Sequence, residues 1–123
     1  MAAPNMLSLT TITGSNANVA PANTSANSII SNAAASGTVV KVNSLYVANT
    51  DTVARNATVN YYSAAALGGT AYAICSVVSI PANSTLVVVQ KDSNLYLPEN
   101  TSLGVTAGTS NTLVVTAAYE ICS

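Results

Sequence analysis

The feature that most narrows the folds open to this chain is alternation. Over residues 113–121 every second residue is apolar or aromatic: Leu113, Val115, Ala117, Tyr119 and Ile121. A period of two belongs to a strand with one face buried, because successive side chains leave a pleated backbone on opposite sides. The pattern returns at 102–107, where Leu103, Val105 and Ala107 share a side, and at 57–62, where Val59 and Tyr61 do. Residues 39–47 read as a long strand, with Val40, Val42 and Tyr46 on one face and Lys41, Asn43, Leu45 and Val47 on the other. Residues 72–80, 85–90 and 94–97 supply further strands. Their residue types agree: Val, Ile, Thr and Tyr suit a pleated, half-buried surface, whereas the chain has one Gln, two Glu and two Lys to favour helix.

Turn chemistry separates the runs. Asn49-Thr50-Asp51 marks a turn, and Gly68-Gly69 offers the positive φ of a hairpin or bulge connection. Pro21-Ala22-Asn23, Pro81-Ala82-Asn83 and Pro98-Glu99-Asn100 are each followed by two Ser/Thr residues. Proline presets φ at the first central turn position, and Asn tolerates the left-handed region. Eight or nine short strands at about ten-residue spacing predict an all-β fold: a single antiparallel β-sandwich, jelly-roll-like.

The first 37 residues read differently. Residues 6–13 form one strand ended by Gly14-Ser15-Asn16, residues 16–27 are loop-like, and 28–31 form a short second strand before a run of small residues. The expected organisation is an extended N-terminal arm at 1–37 and a β-sandwich domain at 38–123, the arm ordering only against a neighbour. The start of the chain lacks a positive n-region and a long apolar h-region, so it does not read as a signal peptide. No apolar run reaches the length of a transmembrane helix. Cys75 and Cys122 are therefore expected as reduced thiols of a protein made in the cytosol, and spacing alone does not establish a bridge between them. The sequons at Asn23, Asn56, Asn83 and Asn100 follow from an Asn/Ser/Thr-rich composition.

Chemistry-bearing residues are scarce. No His is present, which removes the commonest general base and metal ligand. Three cationic residues fall short of the phosphate contacts that duplex binding needs, so no nucleic-acid partner is expected; no membrane partner is expected either. The carboxylates are Asp51, Asp92, Glu99 and Glu120. Asp92 and Glu99 flank a short strand but sit among ordinary turn residues, and read as solvated rather than as an acid/base pair. Calcium at 49–51 or 92–94 would have one carboxylate per segment, which predicts poor affinity. Cys75 reads as a small core residue without a His or cationic partner, and Lys41 as a solvated or edge-strand lysine. The expectation is no catalytic residue, no cofactor and no metal.

The surface is more informative. Only 6% of residues are charged, against about a quarter in a typical soluble domain, and a net charge of −1 favours association. A face of Ser, Thr, Asn and Ala has little charge to desolvate, so it packs against protein neighbours at low cost. With neither Phe nor Trp, tyrosines are the only large flat side chains. Tyr61 and Tyr62 must point to opposite faces, one of them a candidate interface anchor. Tyr46, and Leu7, Leu9, Ile29 and Ile30 in the arm, complete the candidate interface set.

Four segments, residues 41–49, 80–89, 96–107 and 113–120 (KVNSLYVAN, IPANSTLVVV, YLPENTSLGVTA and LVVTAAYE), resemble small virion structural proteins of tailed phages infecting cyanobacteria and other aquatic bacteria. The resemblance covers roughly residues 38–121. It implies a β-sandwich in a virion assembled in the host cytoplasm: a non-enzymatic capsid decoration (cement) subunit that bridges neighbouring coat subunits. Neck, tail, baseplate or fibre accessories are the alternatives, as is a receptor- or glycan-binding module. The partners implied are other virion proteins and further copies of the chain.

Overall fold

A computed structural model describes Asn5, residues 7–93 and residues 95–123. It is all-β, with nine strands among the described residues: β1 (Ile12–Val19), β2 (Ala26–Asn32), β3 (Val39–Asn49), β4 (Arg55–Ala64), β5 (Gly68–Ile80), β6 (Thr85–Val89), β7 (Leu95–Leu97), β8 (Thr101–Ala107) and β9 (Leu113–Cys122). They form two antiparallel sheets packed as a sandwich. One sheet runs β1-β9-β3-β6, with β7 also paired to β3; the other runs β2-β8-β4-β5. Along β3, β9 occupies one side, while β6 and β7 lie in tandem on the other.

The core lies where the alternation placed it. Leu103, Val105 and Ala107 of β8, Ala57 and Val59 of β4, and Leu113, Val115 and Ala117 of β9 are buried together with Leu45, Val47, Ile80 and Leu97. The long strand β3 departs from strict alternation. Its register against β9 shifts between Val42 and Ser44, so Asn43 is an extra residue. A bulge of this kind reverses side-chain parity. Val40 and Val42 point inward before it, Leu45 and Val47 after it, and Tyr46 is turned out instead of sharing the face of Val40.

Residues 12–19 and 26–32, expected in a free arm, are built into the two sheets. β1 pairs along its whole length with β9, from Ile12 against Cys122 to Val19 against Val115. β2 pairs with β8. Both strands are sheet edges within the sandwich, one in each sheet, and they face each other across it. β1 contains Gly14-Ser15-Asn16, a segment that reads as a strand end. Ladder hydrogen bonds come from the backbone, so the open edge of β9 overrides the weak strand propensity of these side chains. The strand expected at 6–13 is displaced: residues 7–11 are turn, bend and loop, and the strand starts at Ile12 and runs on through the segment expected to end it; Met6 lies outside the described residues.

Two of the Pro-x-Asn turns form as their residues dictate. Asn83 and Asn100 adopt φ of 54° and 58°; the Ser84 N–H donates to Pro81 O at 3.2 Å and the Thr101 hydroxyl to Pro98 O at 2.7 Å. At Asn23 the side chain instead accepts the Ser25 N–H at 3.1 Å. Two buried asparagines tie the sheets to their connections. Asn49 Nδ2 donates to Val53 O, Ile80 O and Pro81 O, and its Oδ1 accepts the Asp51 N–H. Asn32 Nδ2 donates to Thr38 O and Leu97 O.

Candidate functional site: an unguarded edge and a polar groove

The seven candidate interface residues separate by burial. Ile29 and Ile30 are both core residues. A register shift between Ser28 and Ile30 turns the two adjacent side chains inward, where alternation would expose one of them. They are withdrawn from the free surface. Tyr62 is on the outer face of its sheet yet buried. The turn at 64–67 folds over it: Leu67 and Tyr62 both lie against Gly104, where a Cβ would come within 2.7 Å of Leu67 Cδ2 and 3.0 Å of Tyr62 Cε2. This turn is held by the Ala65 N–H to Asn100 Oδ1, the Ala66 N–H to Ser31 Oγ and the Leu67 N–H to Ser102 Oγ, at 2.9–3.1 Å. Tyr61 faces the core and is partly buried. Leu9 is half-buried. Tyr46 and Leu7 remain exposed, Leu7 at 95%.

A surface that sequence reasoning did not single out lies on β5. This 13-residue strand is the end of its sheet, paired on one side to β4. It carries no charged residue and no proline, and Tyr72, Ile74 and Val77 are 57%, 38% and 65% exposed. The pairing with β4 is interrupted by register shifts. At one of them Val77 takes φ 48°, a conformation that a β-branched side chain resists, and its N–H donates to Thr58 Oγ1 at 2.9 Å. The absence of charge in 68–80 was the available signal.

The charged residues gather elsewhere. Asp51 and Arg55 form a half-buried ion pair at 2.6 Å. The Thr52 N–H, at 2.7 Å, and the Arg55 guanidinium hold the Asp51 carboxyl below its ordinary value of 3.8. With one carboxylate oxygen on Arg55, the other on Thr52 and the Asn49 side chain turned inward, residues 49–51 do not present a set of free oxygens to calcium. The 92–94 candidate includes Asn94, outside the described residues. Lys41, Asn43, Ser44, Tyr46, Lys91, Asp92 and Glu120 line an open groove of about 570 Å³ on the outer face of the five-stranded sheet. Asp92 is thereby grouped with Glu120 and not with Glu99.

Both cysteines are unbridged. Burial pushes the Cys75 thiol up, and burial followed by the Glu120 charge does the same to Cys122, so neither is a poised thiolate. Among the described residues no group of three or more His, Cys, Asp or Glu could hold a metal ion, and no helix is long and apolar enough to cross a membrane.

No family model and no curated protein matches this chain. Among solved structures four chains match. One comes from work describing Bacillus endospore appendages as a novel family of disulfide-linked pili; it aligns with a TM-score of 0.50 and 14% identity over 91% of this chain and 87% of that one. The likeness is one of fold.

Proposed function

We propose that this chain is a non-enzymatic structural subunit that associates with copies of itself into an extracellular polymer. The observation that carries the reading is the β5 edge. Proteins that must stay monomeric guard long edge strands with bulges, lysine, proline or a covering element, and β5 has bulges in its pairing with β4 but no strand beyond it among the described residues. Residues 68–80 have neither lysine nor proline, and their exposed apolar side chains flank unpaired ladder groups on an otherwise weakly charged molecule. Such an edge adds a strand from another chain through backbone hydrogen bonds. A fold like that of a pilus protein supports the same reading.

The narrower expectation of a capsid decoration or cement protein, with a place on the virion, rests on the resemblance of residues 38–121; the structural likeness is to an appendage. Immunogold labelling with an antibody to the chain separates the two. Label along extracellular filaments is expected. Label confined to phage particles would return the reading to a virion subunit, and label spread through the cytosol without any assembly would contradict both.

A further inference from the structure

The groove beside the β3 bulge is a built feature of the five-stranded sheet. On one side of β3, Leu45 pairs with Val89 at the end of β6 and Val42 with Leu95 at the start of β7. Between them Asn43 and Ser44 have no ladder partner on this side among the described residues, and the turn at 90–93 contributes Lys91 and Asp92 to the groove. That loop closes on itself through the Ser93 N–H to Gln90 O at 3.0 Å. The wall opposite is β9, where Glu120 is directly across from Lys41 and its Oε1 accepts Asn43 Nδ2 at 2.9 Å.

Three properties of this groove define its ligand. First, it collects four of the chain's seven charged residues, two of each sign, in a molecule where charge is otherwise rare. The balance disfavours a ligand with net charge of either sign. Second, it offers donors (Lys41, Lys91, Asn43) and acceptors (Asp92, Glu120) a few side chains apart, so it suits groups that donate and accept at the same atom. Hydroxyls do that. Third, two tyrosines border it: Tyr46 in its lining and Tyr96 directly across the ladder from Lys41, 40% and 44% exposed. Their ring faces suit the C–H face of a pyranose, the work that Trp would otherwise do.

We infer that this groove binds a neutral oligosaccharide, its hydroxyls bridging the Lys and carboxylate side chains and a sugar face resting on tyrosine. The open shape and the volume of about 570 Å³ match a short stretch of a longer chain. Repeated along a polymer, a weak site of this kind gains avidity without any new contact. The groove lies on the sheet opposite β5, so a sugar bound there leaves the β5 edge free.

Saturation-transfer NMR on the full chain tests it, with maltotriose, cellotriose, laminaritriose and triacetylchitotriose as neutral probes and trialanine as a zwitterionic control. At least one neutral trisaccharide should receive saturation on its ring protons. The isosteric pair Asp92→Asn with Glu120→Gln should weaken that binding about tenfold or more while the melting temperature and the assembly state stay as in the parent. No transfer to any neutral trisaccharide, equal binding by the variant, or a preference for trialanine would each overturn the assignment.

Discussion

At the scale of single residues, the fold depends on a few buried polar side chains as much as on its valines. Asn49 satisfies three carbonyl groups that end or follow strands, and apolar replacement leaves all three without their donor. Asn49→Ala is expected to lower stability by about 2–3 kcal/mol, read by urea unfolding. Asp51 acts differently, because water reaches its half-buried ion pair and screens it. Its folded pKa lies below the ordinary 3.8, so its contribution is present above that value and is lost as the pH falls through the lower, folded one. The melting temperature should therefore drop more gently with acidification in Asp51→Asn than in the parent, and addition of salt should narrow the gap. The Asn83 and Asn100 turns were legible in the sequence, since Pro-x-Asn encodes its own backbone geometry. The inward side chain of Asn49 was not: its partners Ile80 and Pro81 are distant in sequence, and a turn asparagine with a buried role looks like any other.

At the scale of elements, strand positions were legible and faces were legible only where no bulge intervened. β8 and β9 show their buried sides directly in their alternation. β3 does not, because one extra residue at Asn43 reverses the parity of everything after it, and nothing in Lys-Val-Asn-Ser-Leu-Tyr marks which residue is extra. The same holds at Ile29 and Ile30, where the bulge converts two candidate contact residues into core. β1 was hidden for another reason: its pairing energy comes from the β9 backbone and its own residues resemble a turn. Deleting residues 1–37 therefore takes strands out of the sandwich, not a free arm off it. It removes one edge strand from each sheet and two buried isoleucines worth about 3–6 kcal/mol together, a large share of the 5–15 kcal/mol that holds a domain. The truncated chain should lose its cooperative thermal transition, whereas deletion of residues 1–9 should keep it; a well-folded 38–123 fragment would show that the sandwich closes without β1 and β2.

At the scale of the whole molecule, the low charge of the sequence acquires a location. The seven charged side chains avoid β5 altogether, and four of them line one groove on the opposite sheet. An uncharged exterior was readable from composition as a surface meant to be covered, but composition has no geometry and could not say which edge was left open. The two sheets supply it: β5 ends its sheet, is longer than any other described strand, and exposes apolar side chains along an edge without lysine or proline. Negative-stain electron microscopy and light scattering on the purified chain, beside a Tyr72→Lys/Ile74→Lys variant, measure this most directly. The parent should form open-ended polymers, and the variant should remain a monomer with an unchanged circular dichroism spectrum; a parent that stays monomeric at every concentration, or a variant that polymerises as readily, would contradict the account.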